Sequence, residues 1–73
     1  MDRISIFGLG HVGLCTAVCL AEKGYHVVGI DPDTEKNDQI KRGMAPFDEE
    51  KLEPILNKVL RKGTFEVTSD AKM

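Results

Sequence analysis

The sequence predicts an α/β fold built on a parallel sheet, and three observations carry that prediction. A five-residue, isoleucine-rich run from Arg3 to Phe7 stops on a glycine. The stretch from His11 to Lys23 then carries apolar residues in a helical pattern, and a second apolar run, His26 to Ile30, follows Gly24. Strand, glycine turn, helix and strand in that order make a β-α-β unit, whose two strands lie parallel.

Each element has its own signal. "RISIF" is short, apolar and bounded by glycine, as a buried strand is. The helix that follows carries Val12, Leu14, Cys15, Val18, Cys19 and Leu20, and Gly24 stops it where a left-handed backbone costs glycine least. "HVVGI" has strand length and ends on Asp31. Pro32 fits the first turn of a second helix, with Asp31 or Asp33 as its N-cap. "DTEKNDQIKR" is polar, so this helix is expected at the surface with a thin apolar face, closed by Gly43.

After the loop "GMAPF", acidic "DEE" is expected to open a third helix in which Leu52, Ile55, Leu56, Val59 and Leu60 recur on one face. That face must be buried. Pro54 predicts that the regular helix begins there, with Glu53 as the half-in residue, and Gly63 ends it. "TFEVT" then alternates as a short third strand with Phe65 and Val67 on one side. The chain has no repeat and no low-complexity tract.

Bulk properties narrow the class. The 73 residues are 41% hydrophobic and 30% charged, and no stretch approaches the roughly 20 apolar residues of a membrane span. A chain of this length buries only about 60% of its unfolded surface, so these residues are expected to be part of a larger domain. A net charge of −2, scattered in sign, supplies no electrostatic footprint for nucleic acid or an anionic membrane. The N-terminus lacks the pattern of a secretory signal, so the expected location is cytoplasmic.

The central observation is the turn between the first strand and the first helix. Gly8, Gly10 and Gly13 stand at G-x-G-x-x-G, inside a unit of about 30 residues that ends in an acidic residue. In that context the spacing points to a dinucleotide. Gly8 takes the tight turn, Gly10 leaves the backbone open to a pyrophosphate, and Gly13 lets the helix sit close on the strands. The phosphates then meet the helix N-terminus, with backbone amides near Leu9, His11 and Val12 as donors. The fold is therefore read as Rossmann-type: a β-α-β unit, two helices and a short third strand. Residues 1–73 are expected to form the N-terminal part of a dinucleotide-binding domain, with further domains outside this chain.

Asp31 stands eighteen residues after Gly13, where a carboxylate accepts from the adenosine ribose hydroxyls and repels a 2′-phosphate. No arginine follows it immediately, so the expected cofactor is NAD rather than NADP. Its alternative role is that of helix cap. His11 is expected to contact the cofactor or nearby backbone rather than to catalyse, and His26 to lie at the surface or strand edge. His11, Cys15 and Cys19 share one helical stripe, but no fourth ligand and no C-x-x-C spacing accompany them, so no metal is expected. Both cysteines are read as small buried hydrophobes, without a disulfide.

From "RISIFGLGHVGLCTAVCLAEKGYHVVGIDPDTEK" into "IKRGMAPFDEEKLEPIL" the chain resembles the N-terminus of the nucleotide-sugar 6-dehydrogenases, the UDP-glucose and GDP-mannose dehydrogenases. The resemblance covers nearly all of it. The family turn typically reads G-x-G-Y-V-G, and His11 takes the tyrosine position while Val12 and Gly13 are kept. Lys36 matches a family lysine that contacts the cofactor. A family stretch resembling G-x-x-P-I-x-E-P-G-L is met by Gly43, Pro46, Phe47, Glu49 and Leu52, with Glu50 and Lys51 replacing its proline and glycine. Asn37 and Gln39 stand where the family is usually apolar.

The resemblance implies an NAD-dependent enzyme that oxidises the C6 alcohol of a nucleotide sugar to the carboxylate. It implies a homodimer or higher homo-oligomer, and catalytic residues beyond Met73, so residues 1–73 alone are expected to be inactive. Two alternatives share the same residues: a hydroxyacid or 3-hydroxyacyl-CoA dehydrogenase, and a stand-alone nucleotide-binding module without activity.

Overall fold

Ile4 and Ile6 anchor the first strand by one face only, while Arg3, Ser5 and Phe7 point away and are exposed. The computed structural model describes residues 3–47 and 51–70. In order they form β1 (Arg3–Phe7), α1 (His11–Glu22), β2 (His26–Ile30), α2 (Thr34–Lys41), α3 (Leu52–Lys62) and β3 (Phe65–Thr68). The three strands make a parallel sheet with β2 in the middle. Ile4 lies opposite Val27 and Phe7 opposite Ile30, while Val27 lies opposite Phe65 and Ile30 opposite Thr68. The predicted parallel Rossmann-type unit is the fold observed.

The central strand is apolar on both faces because both are covered: Val27, Val28 and Ile30 are all buried. β1 departs from the expected buried strand, since it has a paired neighbour on one side and Phe7 is 69% exposed. α1 rests on β2 through Leu14, Ala17, Val18 and Ala21, a stripe in which two alanines bring the helix axis near the sheet. α3 packs on α1 and β3 through Leu52, Leu56 and Val59, with Ile55 and Leu60 partly buried beside them. Phe65 and Val67 complete the core from β3 as the alternation predicted.

Four local expectations are corrected. Cys19 is exposed and Cys15 is half-buried, because the alanine-containing stripe, rather than the Cys15–Cys19 side, faces the sheet. Pro32 lies before α2 rather than in its first turn, and the helix is capped by Asp33, whose side chain accepts from the Lys36 amide at 3.1 Å. Asp31 is not the cap. α3 begins at Leu52, so Pro54 occupies its third position, where a missing N–H costs nothing because no intrahelical acceptor exists there. The acidic opening of α3, with Glu49, lies outside the described residues.

Side chains fasten the connection from α2 to α3. The Asn57 amide donates to the Gly43 carbonyl at 3.0 Å, the Gln39 amide to the Ala45 carbonyl at 3.3 Å, and the Ala45 N–H to the Glu53 carboxylate at 2.9 Å. Gly43 sits at φ +82°, and a Cβ there would fall 2.0 Å from Asn57 Oδ1. Only glycine satisfies both demands. The loop so held brings Phe47 onto the His11 ring, centroids 4.6 Å apart. Among the described residues no helix is long and apolar enough to cross a membrane.

Candidate functional site

The C-terminal ends of β1 and β2 meet the N-terminus of α1, the crevice where open parallel sheets take their ligands. Gly8 leaves β1 at φ +89° while its N–H donates to the Ile30 carbonyl at 2.8 Å, so the turn stays tied to β2. Leu9 then buries its side chain completely over Gly29, where a Cβ would stand 2.8 Å from a Leu9 methyl. The strand glycine is the socket for the turn's leucine. No sequence signal had marked this pair.

The other two glycines of the motif answer different needs. A Cβ on Gly13 would lie 2.1 Å from the Gly8 carbonyl oxygen, so α1 touches the turn backbone itself. A Cβ on Gly10 would meet nothing within 4 Å. Gly10 is the N-cap of α1 and supplies no side-chain cap, and no acidic residue stands in the first turn. The first intrahelical bond runs from the Leu14 N–H to the Gly10 carbonyl, so the Val12 and Gly13 amides precede the ladder. An uncapped helix N-terminus beside an open glycine is an anion cradle that a pyrophosphate fits.

Asp31 is immobilised through every polar group it has. Its N–H donates to the Thr68 carbonyl at 3.1 Å, and its carbonyl accepts from the Asn37 side-chain amide at 2.7 Å. Oδ2 accepts from the Leu9 N–H at 2.8 Å and from Lys36 Nζ at 2.9 Å; Oδ1 accepts from the Asp33 N–H at 2.9 Å. These donors, the Leu9 amide first and Lys36 next, hold the buried carboxyl at a pKa of about 2, against the opposing effect of burial. An ionised carboxylate has about four acceptor positions, so one on Oδ1 is left for a sugar hydroxyl.

Of the residues expected at the site, Gly8, Gly10, Gly13, His11 and Val12 surround the turn, and Asp31 lies across it. Leu9 enters differently from expectation: its amide points at Asp31 and is buried, so it fastens the carboxylate instead of donating to phosphate. Lys36 lies on the carboxylate, its side chain 24% exposed. Sequence reasoning missed Asn37, which is buried although polar because it ties α2 to the Asp31 carbonyl; its Oδ1 has no hydrogen-bond partner among the described residues. His26 pairs with Glu66 at 2.6 Å on the opposite end of the sheet, away from the turn. Among the described residues no group of three or more His, Cys, Asp or Glu side chains converges on a metal position.

Comparison with known proteins places this geometry. Residues 2–73 match the model of the UDP-glucose/GDP-mannose dehydrogenase family, NAD binding domain. The GDP-mannose 6-dehydrogenase of Pseudomonas syringae pv. tomato is 47% identical over 68 residues, which are 93% of this chain and 16% of that protein. The UDP-glucose 6-dehydrogenase of Bacillus subtilis is 44% identical over 62 residues, 85% of this chain and 13% of that protein. In the crystal structure of a ternary complex of GDP-mannose dehydrogenase from Pseudomonas aeruginosa, the matching region superposes with a TM-score of 0.90 at 42% identity, over 94% of this chain and 16% of that one. The chain thus spans a small part of the length of the relatives it matches.

Proposed function

Because the chain belongs to the UDP-glucose/GDP-mannose dehydrogenase family, through its NAD-binding domain, we propose that it holds NAD for the oxidation of a nucleotide sugar's C6 alcohol to the carboxylate. The observation that carries this reading is the immobilised Asp31 carboxylate standing beside an uncapped, glycine-opened helix N-terminus. In this reading the Val12 and Gly13 amides and the positive end of α1 take the pyrophosphate, with the His11 ring, braced by Phe47, along its edge. Oδ1 of Asp31 accepts from the adenosine ribose, aimed by the Asp33 N–H on that oxygen and by the Leu9 N–H on Oδ2.

Bound NAD supplies the hydride acceptor. Alcohol to carboxylate is a four-electron oxidation, so one turnover takes two NAD molecules and one water, whose oxygen becomes the second carboxylate oxygen. The part played by these residues is to bind and orient. The proposal extends to a cytoplasmic homodimer or larger homo-oligomer, as the family resemblance implies.

Calorimetric titration of the natural protein with NAD and NADP tests the reading. Wild type is expected to prefer NAD, and Gly10→Val to weaken both cofactors alike, because a branched side chain fills the space that is open at Gly10. Binding of NAD unaffected by Gly10→Val would remove the pyrophosphate from this turn.

A further inference from the structure

Asp31 is surrounded as an anion is in a binding site. The Leu9 N–H, the Asp33 N–H and Lys36 Nζ converge on its two oxygens, all within 2.9 Å, and the Asp31 side chain is only 8% exposed. The Lys36 side chain reaches the carboxylate from the first turn of α2, whose backbone is fixed by the Asp33 cap, and it is 24% exposed there. The cation therefore stands where a substituent on the adenosine ribose would arrive.

We propose that the Asp31–Lys36 pair, rather than Asp31 alone, sets the choice between NAD and NADP, with Lys36 a latent phosphate-binding cation that the carboxylate occupies. The inference rests on the NAD reading above and deepens it. While the carboxylate is present, Lys36 is neutralised by it and a 2′-phosphate meets a filled acceptor group. When the carboxylate loses its charge, the same ammonium and the neighbouring amide face the incoming phosphate, and a charge-assisted hydrogen bond to it forms without any new residue. Lys36 has a second effect in the wild type: it offsets part of the negative charge of Asp31 and so moderates the rejection of NADP.

The test uses dissociation constants for NAD and NADP, by calorimetry, on the natural protein and four variants. Asp31→Asn keeps the shape and an oxygen for the Leu9 amide; it is expected to shift the NADP-to-NAD affinity ratio toward NADP by about tenfold to a hundredfold, the worth of one charged hydrogen bond. Adding Lys36→Met to Asp31→Asn is expected to abolish that gain, and adding Lys36→Arg to keep it. Lys36→Met alone is expected to lower NADP affinity about tenfold more than NAD affinity, since the carboxylate is then unneutralised. Equal NADP affinity for Asp31→Asn with and without Lys36→Met, or an unchanged cofactor ratio in Lys36→Met alone, overturns the proposal. Failure of the wild type to bind NAD overturns the parent reading instead.

Discussion

Replacing Gly13 by alanine isolates the contact between α1 and the turn. The added Cβ would lie 2.1 Å from the Gly8 carbonyl oxygen, more than an ångström inside an ordinary contact, and both partners are backbone. Gly8 cannot retreat without breaking its 2.8 Å bond to the Ile30 carbonyl. Moving α1 instead lifts Leu14, Ala17 and Val18, all fully buried, off the core. Forcing a methyl group into a packed interior costs about 1–3 kcal/mol, and rigid neighbours place this case at the upper end. Alanine returns up to about 1 kcal/mol in helix propensity, leaving a net loss of about 2 kcal/mol.

Gly10→Ala is the control within the same motif. Its Cβ meets nothing within 4 Å and its φ of −70° suits any residue, so the stability cost is that of a poorer N-cap, below about 1 kcal/mol. With a urea slope of about 1 kcal/mol/M, Gly13→Ala should lower the denaturation midpoint by about 2 M and Gly10→Ala by less than about 1 M. Circular dichroism through a urea series reads both. Gly13→Ala as stable as Gly10→Ala would refute the claim that helix contact, rather than ligand access, fixes the third glycine.

Further outcomes follow from the same geometry. Asp31 keeps its charge to a pKa of about 2, below its ordinary 3.8, so it contributes about 2 kcal/mol of stability above pH 4, lost as the pH falls toward 2; denaturation of wild type and Asp31→Asn from pH 6 to pH 2 should show the two curves converging in acid. Gly29→Val should displace the Leu9 side chain from its socket and cost about 1–3 kcal/mol, read as a lower melting temperature. Leu56→Ala, at a fully buried position in α3, should cost about 2–5 kcal/mol by urea denaturation, whereas Val12→Ala, at an exposed one, should change stability by less than about 0.5 kcal/mol.

What the sequence made legible was whatever repeats or punctuates. The period of α3, the alternation of β3 and the glycine stops placed six elements in order, and glycine spacing with a strand-ending acid located the turn and Asp31. Contacts without period stayed hidden. Asn37, Gln39 and Glu53 each fasten a single backbone group and Asn57 fastens two, and such isolated bonds leave no pattern to count. The buried side of α1 was misjudged at Cys15 and Cys19 because Ala17 and Ala21, weak apolar signals, mark the true interface. Pro54 was read as a break because its effect depends on which position of the first turn it occupies, and that is set by packing of Leu52.

The bond from the Leu9 amide to Asp31, with the Gly8 amide on the Ile30 carbonyl beside it, joins the phosphate turn to the end of the neighbouring strand. Turn and carboxylate are thereby one mechanical part whose order is established when the sheet forms, not when a ligand arrives. Both amides should exchange with solvent at the rate of the sheet core, unlike the amides of a mobile binding loop. A ligand that spans the two ends meets a surface already rigid, so its affinity is not reduced by the entropy of arranging the site.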